Sequence, residues 1–379
     1  DDVVVRSPSV HPLFIERSTD RNGVVTLISE WPTETTWFLH DHRTANGDAL
    51  MPGSGYLELA RGALTEIGFD RPFEIRNLTF IRPLAAADGD RLVVRTVLSP
   101  TEEGYTIVVS ERVLVSAPPS EDESATGQQG WRRAAEAKLL LYRQSDLESV
   151  DIEAWRVATH RSNQRLRQRE HLCFGPRWDV MGEVRFGDGF AVADLSLQTE
   201  FSGDVDEFGL HPALVDLGTG FAMDLIPGYT GDQLWVPVDY RRIRILGPLP
   251  SSIVSMVSLR PGGSESTGFA SFDVRLCSAN GVVLVEVEAF TIKRLQRPLD
   301  VGTQRRVLPN ELESDPANSS RQASQSELAF RHNLDQGIRP QEGKRIFLKM
   351  LAPEVDAVVY ASSLDLLALR SQTASIAAA

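Results

Sequence analysis

The chain has 379 residues, of which 42% are hydrophobic and 24% are charged, and its formal net charge at pH 7 is -13. This acidic balance argues against a nucleic-acid partner, which normally requires a basic surface. No apolar run approaches the roughly 18 residues of a transmembrane helix, which argues against a membrane partner. The only cysteines, Cys173 and Cys277, favour a protein without disulfides in a reducing cytoplasm. The chain begins at Asp1 rather than Met, so we expect an excised piece of a larger protein.

The first half of the sequence predicts a strand, a helix and then further strands. A β-branched run at 24–31 is typical of a strand. After a polar loop, apolar residues recur at i, i+3, i+4 and i+7 from Pro52 to about Phe69, which indicates a helix with one buried face. Strand-like segments separated by Gly, Pro or Asp turns follow at 73–80, 91–98 and 105–113. Residues 131–142 have the composition of a helix.

The second half repeats this order. A strand is predicted at 190–197, and Pro212 begins a second apolar helix that extends to about Ile226. Asn280-Gly281 is a strong hairpin signal. The strands predicted after the second helix lie at 233–240, 242–246, 253–259, 269–276 and 282–295. Two similar units about 170 residues apart suggest an internal duplication.

Polar stretches separate and follow the two units. Residues 118–130 predict a solvent loop, and residues 311–327 predict disorder. The charged stretch 144–170 is interpreted as a solvated linker, with a docking patch for an acidic partner domain as the alternative. Its clustered arginines are Arg161, Arg165, Arg167 and Arg169. Residues 338–351 could form a short amphipathic helix, to which we assign no chemistry.

Two ionisable side chains occupy comparable places in the two units. His42 lies in the polar loop before the first helix, and Asp216 is the single carboxylate in the first turns of the second. A histidine held before a helix N-terminus can act as a base beside free N–H groups. A surface histidine before an ordinary core helix fits the same spacing, and His40 is a rival base. The seven histidines do not group with cysteines or carboxylates at metal-ligand spacing, so no metal site is predicted.

These motifs together resemble the dehydratase domain of a modular type I polyketide synthase. The matching segments, between about residues 9 and 296, are Asp41-His42, Pro52-Gly53, 56–60, 80–84, Phe174-Gly175-Pro176, 211–216 and Val236-Pro237. The resemblance implies an α+β double hotdog, which is two fused hotdog folds, each with a long helix wrapped by an antiparallel sheet. It also implies that 131–142 is the last long strand of the first unit. The implied boundaries are 1–145 for the N-terminal hotdog, 146–170 for a linker, 171–296 for the C-terminal hotdog and 297–379 for a partly disordered tail.

The family's reaction gives the implied function. It removes water from a β-hydroxyacyl thioester to give the α,β-unsaturated thioester. By this resemblance His42 is the catalytic base for the α-proton, and Asp216 is the acid for the departing hydroxyl. No cofactor is implied, because the acyl chain arrives on the phosphopantetheine arm of an acyl carrier protein. The expected partners are that carrier protein, neighbouring synthase domains and a second copy of the chain in a homodimer.

The remaining candidate residues are those expected to bind substrate. The backbone N–H of Gly53 could polarise the thioester carbonyl, as in an oxyanion hole. Aromatic side chains could line an acyl tunnel, although an ordinary core role fits them equally well. The substrate-binding candidates are Gly53, Tyr56, Phe174, Gly175, Pro176, Trp178, His211, Phe221, Val236 and Pro237.

Three departures from the family pattern leave other functions open. One extra residue lies between His42 and Gly47, Gly220 replaces the Gln or His expected four residues after Asp216, and Phe174 replaces a usual Tyr. The alternatives are a double-bond isomerase or an oxa-Michael cyclase that forms a pyran with the same residue pair, or an inactive structural domain.

The proposed roles make two physical predictions about the pair. Both side chains must enter one tunnel and lie within about 10 Å of each other, because they act on adjacent carbons. Burial can raise a carboxyl pKa by several units, whereas a helix N-terminus usually lowers it by less than ~1 kcal/mol. We therefore expect burial to raise the pKa of Asp216.

Overall fold

The structure of the chain is a computed structural model. It describes residues 5–115, 129–142, 147–162 and 171–297, together with residues 299, 306, 307 and 312. All of them belong to one unit, Asp1–Glu313. The predicted features outside the described residues are most of the 118–130 loop, the arginines after Arg161, the predicted disorder except residue 312, and the helix at 338–351. Gln129 and Gly130, which were expected in the loop, instead begin a strand.

The first half consists mainly of strands around one helix. Its elements are β1 (Val5–Ser7), β2 (Glu16–Thr19), β3 (Val25–Pro32), α1 (Trp37–His40), β4 (His42–Thr44), β5 (Ala49–Leu50), α2 (Gly55–Glu66), β6 (Phe73–Phe80), β7 (Ala85–Ala86), β8 (Arg91–Pro100), β9 (Gly104–Val115) and β10 (Gln129–Leu141). Residues 131–141 of the predicted segment 131–142 therefore form a strand, as their position implied.

The second half repeats this pattern with shorter helices. Its elements are α3 (Ile152–Val157), β11 (Arg161–Ser162), β12 (Leu172–Phe174), β13 (Met181–Phe186), β14 (Phe190–Ser196), α4 (Pro212–Gly220), β15 (Trp235–Ile245), β16 (Ser252–Leu259), β17 (Phe269–Cys277), β18 (Val283–Arg294) and β19 (Arg306–Val307). Among the described residues of this half, 3-10 helices occupy Pro176–Trp178, Thr199–Asp206 and Phe221–Leu225.

One sheet of 15 strands extends through both halves. Its order is β1-β2-β3-β8-β9-β10-β6 in the first half and β15-β18-β17-β16-β14-β13-β11 in the second, with β19 beside β9. The halves join where β6 pairs antiparallel with β15, which sets Ile75 opposite Ile243. Both isoleucines are buried and belong to a core cluster that includes residues of both halves. The two halves therefore share a common core.

The predicted strands agree with the structure to within two residues at each end, with one exception. The segments at 233–240 and 242–246 form the single strand β15. The intervening Arg241 does not interrupt the strand, because its side chain is exposed and pairs with Glu288 on the adjacent strand β18. The turn signal at Asn280-Gly281 is confirmed, since it joins β17 to β18 and Gly281 has a φ of +81°.

Helix α2 differs from its prediction at both ends and in its burial. It begins at Gly55 because the preceding residues from Pro52 form a turn, with Gly55 N–H bonded to the Pro52 carbonyl. It ends at Glu66, where Gly68 at a φ of +77° and Phe69 donate to carbonyls of the last turn. Ten of its 12 residues are buried, so the expectation of one buried face is wrong. The helix is enclosed by the sheet.

Helix α4 begins at Pro212, as predicted, but is not the long helix expected in the second half. It ends at Gly220 after nine residues, and a 3-10 helix follows over Phe221–Leu225. Gly218 and Gly220 lie near its end, and glycine is an unfavourable residue in a helix.

A second, four-stranded sheet brings the halves together beside α2. Its order is β12-β4-β5-β7. Strand β12 comes from the second half and pairs with β4 so that Phe174 lies opposite His42. This pairing places His42 at the junction of the two halves.

Candidate active site

His42 is buried, and its ring orientation is set by a backbone carbonyl. The Nδ1 atom lies 2.7 Å from the Leu50 oxygen on the neighbouring strand β5. A carbonyl oxygen only accepts hydrogen bonds, so Nδ1 carries the proton in the neutral ring. The Nε2 atom is then unprotonated and available as a base.

The unprotonated nitrogen faces Asp216. The distance from His42 Nε2 to Asp216 Oδ2 is 3.9 Å, well inside the limit of about 10 Å that the proposed chemistry set. The His42 side chain is 5% exposed and that of Asp216 is 22% exposed. His42 and Asp216 thus come from different halves and meet at the junction.

The carboxyl of Asp216 is also held by an indole. Trp178 Nε1 donates a hydrogen bond of 2.9 Å to Asp216 Oδ2. Burial raises the pKa of Asp216, while His42 and the Trp178 N–H oppose that rise without cancelling it. The direction agrees with the sequence prediction. An aspartic acid with a raised pKa can hold the proton that a departing hydroxyl needs.

A cavity of about 380 Å³ opens onto the pair. Its walls are mostly apolar, which suits an acyl chain. The predicted residues that line it are His42, Gly53, Tyr56, Phe174, Asp216, Phe221, Val236 and Pro237. Lining residues that the sequence reasoning missed include Met51, Phe80, Met223, Tyr229, Trp235 and Tyr240. Helix periodicity and strand alternation mark such side chains as buried but do not separate cavity walls from solid core.

Four of the predicted substrate-binding residues, Gly175, Pro176, Trp178 and His211, do not line this cavity. Trp178 is fully buried and donates to Asp216, and Pro176 is an exposed residue at the start of a 3-10 helix. Gly175 faces away, because a Cβ added there would lie 2.3 Å from Asp41 Oδ1. His211 stacks on Trp37 at 4.9 Å.

His211 and His40 have structural surroundings outside the cavity. His211 occupies the N-cap position of α4. Its ring nitrogen Nε2 lies 3.6 Å from Asp204 Oδ2. His40 is 56% exposed and bonds to Asp41 at 2.9 Å. Neither ring points into the cavity that contains His42 and Asp216.

The three sequence departures have distinct structural consequences. The extra residue before Gly47 lies in the turn between β4 and β5. In this turn Gly47 takes a φ of +90°, and Thr44 N–H donates to the Asp48 carbonyl. The turn accommodates the extra residue, and the contact of His42 with the Leu50 carbonyl is retained. Apart from its chain neighbours and the backbone of its own helix, no atom of the described part of the chain lies within 4 Å of a Cβ built on Gly220, which leaves open space in the cavity wall. Phe174 presents its ring 5.6 Å from that of His42.

The described residues contain neither a metal-ligand cluster nor a helix that could cross a membrane. Within these ranges no group of three or more His, Cys, Asp or Glu side chains is placed to hold a metal ion. No described helix is long and apolar enough to cross a membrane.

The fold is that of a double hotdog, and it places a His–Asp pair at the junction of its two halves. The chain belongs to the dehydratase domains of polyketide synthases. A "Polyketide synthase dehydratase domain" model matches residues 11–112, and a "Polyketide synthase dehydratase N-terminal domain" model matches residues 150–300. Together they cover well over half of the chain.

Individual relatives agree with this assignment. Polyketide synthase PksN of Bacillus subtilis is 23% identical over 299 residues, which are 77% of this chain but only 5% of PksN. The dehydratase domain from the CurF module of curacin polyketide synthase is 20% identical, with 76% of this chain and 100% of that chain covered at a TM-score of 0.64. A trans-AT dehydratase domain from Brevibacillus brevis is 21% identical, with the same coverage and TM-score. These structures confirm the predicted double hotdog.

Proposed function

We propose that the chain removes water from a β-hydroxyacyl thioester and releases the α,β-unsaturated thioester. The observation that carries this proposal is the 3.9 Å separation of His42 Nε2 from Asp216 Oδ2 in a mostly apolar cavity. The bond from His42 Nδ1 to the Leu50 carbonyl supports it, because this bond leaves Nε2 unprotonated.

In the proposed reaction, His42 Nε2 takes the proton from the α-carbon and Asp216 gives its proton to the β-hydroxyl. The electron pair of the C–H bond becomes the new double bond, and the C–O bond breaks to release water. The site returns to its starting state when the proton gained by His42 replaces the one lost by Asp216. Two inactive mutants of the CurK dehydratase, one changing a histidine and the other an aspartate, support a pair of this kind.

The thioester carbonyl needs a hydrogen-bond donor while charge develops on its oxygen. Gly53 lines the cavity in the turn that precedes α2, and no described acceptor takes its N–H. We assign the Gly53 N–H as the donor to the thioester carbonyl. A Cβ on Gly53 would lie 3.0 Å from Pro237 Cγ, so the backbone approaches the opposite wall closely. This chemistry requires no metal and no added cofactor.

The proposed substrate arrives on the phosphopantetheine arm of an acyl carrier protein. A mostly apolar cavity that opens onto a buried acid–base pair suits an acyl chain delivered on a long, thin arm. The small share of PksN that the chain matches supports neighbouring synthase domains as partners. We also propose that two copies of the chain form a homodimer.

Both enantiomers of a short β-hydroxyacyl-pantetheine should be incubated with the folded chain and analysed by mass spectrometry. We expect one enantiomer to lose one water. His42→Ala and Asp216→Asn should each lower turnover by about 100-fold or more. His40→Ala is the matched control, since its exposed ring lies outside the cavity, and it should retain wild-type turnover. Unchanged turnover in His42→Ala would overturn the assignment.

The open space beside Gly220 supports a second candidate, a cyclase. A chain that folds back to add its own hydroxyl to the new alkene needs room next to the acid. Such a product keeps the mass of the unsaturated thioester but loses the absorbance of the conjugated alkene. A substrate with a distal hydroxyl distinguishes the two reactions. No product from any substrate, with a folded protein, would favour a structural domain.

A further inference from the structure

Asp216 has one side-chain hydrogen-bond donor among the described residues, and that donor is Trp178. Two cavity positions at which the family pattern has a polar side chain supply none, because Gly220 has no side chain and Phe174 has no hydroxyl. We propose that Trp178 is the positioning residue of the acid, holding Asp216 Oδ2 so that Oδ1 is left for the substrate hydroxyl. This inference deepens the proposed function and rests on it for its catalytic readout.

The direction of the bond determines which oxygen carries the proton. An indole N–H can only donate, so Oδ2 must accept. The stronger acceptor of a carboxylic acid is its carbonyl oxygen, and the bond therefore favours the acid proton on Oδ1. Asp216 lines the cavity with a partly exposed side chain, so an Oδ1 proton is available to a bound hydroxyl.

The indole itself is fixed on several sides. The Trp178 ring is fully buried and lies 6.3 Å from the parallel ring of Phe174 and 5.4 Å from that of His42. Its backbone N–H bonds to the Gly175 carbonyl at 3.1 Å. A ring packed in this way loses little further freedom when its N–H binds, which suits a positioning role.

The turn that carries Trp178 is tied to the residue beside the base. Gly175 N–H donates to the Asp41 carbonyl at 2.8 Å, and Arg177 N–H donates to the Asp41 carboxylate at 3.3 Å. Asp41 immediately precedes His42 in the sequence. A continuous set of contacts therefore leads from the base, through this turn and the indole, to the acid, and it spans the two halves.

An ordinary core role for Trp178 makes different predictions from a positioning role. A core role predicts a loss of stability only. A positioning role also predicts a change in the protonation of Asp216, because the lost N–H stabilised the ionised carboxylate. The pKa of Asp216 should then rise further in Trp178→Phe, which keeps an aromatic ring but removes the donor.

The experiment compares the wild type, Trp178→Phe and the control Trp31→Phe. Trp31 is also buried, and its Nε1 donates to the Leu13 carbonyl at 3.1 Å, away from the cavity. Carbon-13 NMR of labelled aspartate carboxyls gives the pKa of Asp216, with Asp216→Asn identifying its signal. Steady-state kinetics gives kcat, KM and the pH profile, and circular dichroism checks folding.

We expect a higher pKa for Asp216 in Trp178→Phe, a basic limb of kcat moved to higher pH, and a kcat reduced by about 10- to 100-fold with little change in KM. Trp31→Phe should show none of these changes. An unchanged Asp216 pKa, or an unchanged kcat in an active enzyme, would overturn the positioning role. If the wild type is inactive, the proposed function fails, while the NMR comparison still decides whether Trp178 controls the carboxyl.

Discussion

Glu58 connects α2 to the segment that leads into α4, and its replacement by glutamine should destabilise the protein strongly. The side chain is fully buried on α2. Its carboxylate accepts hydrogen bonds from Leu210 N–H at 2.7 Å and from Arg61 Nη2 at 2.7 Å, and it lies 3.1 Å from His11 Nε2. Leu210 lies two residues before Pro212, so this carboxylate fixes the start of the helix that carries the acid.

The expected loss follows from these contacts. Hydrogen bonds to charged groups each contribute about 1.5–3 kcal/mol, and breaking a buried ion pair costs about 3–5 kcal/mol. Glu58→Gln keeps the volume but removes the charge and presents an N–H₂ group to at least one donor. Arg61 is 21% exposed and can turn toward water, which reduces the cost. We therefore expect the free energy of unfolding to fall by about 3 kcal/mol.

Guanidinium unfolding followed by circular dichroism measures this loss. Glu16→Gln is the control, because Glu16 is 44% exposed and pairs only loosely with Arg6 at 3.4 Å. It should change the free energy of unfolding by less than about 0.5 kcal/mol. A loss below about 1 kcal/mol in Glu58→Gln would refute the view that this carboxylate holds the two helices in place.

Two further predictions concern activity. Because burial raises the pKa of Asp216, this acid stays protonated at a pH at which an ordinary aspartate is ionised, so turnover should persist there and decline only at higher pH. A pH–rate profile in which turnover is lost, as the pH rises, already near the ordinary aspartate pKa of about 4 would contradict this. Gly53→Ala places a methyl group 3.0 Å from Pro237 Cγ and 3.5 Å from Phe80 Cζ, and should lower kcat/KM by about 10-fold. Wild-type kinetics in Gly53→Ala would show that the backbone there does not approach the substrate.

The sequence predicted the strands well because their signals are local. The β-branched run at 24–31 that predicted β3 does form a strand, in which every second residue from Val25 to Trp31 is buried. The ends of α2 were less predictable, because the Pro52 turn and the cap at Gly68 depend on backbone hydrogen bonds. The length of α4 was overestimated, since apolar residues continue past Gly220 into a 3-10 helix.

The candidate site was only partly predictable for a similar reason. His42 and Asp216 stand out as ionisable residues beside apolar helices, and the motif resemblance paired them. The Leu50 carbonyl that orients His42 leaves no signal in the sequence, because every residue has a carbonyl. Trp178 lies 38 residues from Asp216, and an aromatic residue there predicts a cavity wall as readily as a hydrogen-bond donor.

The most direct test of the central claim is the fate of the α-hydrogens. A β-hydroxyacyl-pantetheine carrying two deuterium atoms on the α-carbon should be incubated with the wild type and with His42→Ala, and the products weighed by mass spectrometry. We predict that the wild type releases an unsaturated thioester that has lost one deuterium together with the hydroxyl, and that His42→Ala forms this product about 100-fold more slowly. A product that keeps both deuterium atoms, or equal rates in the two proteins, would contradict the assignment of His42 as the base.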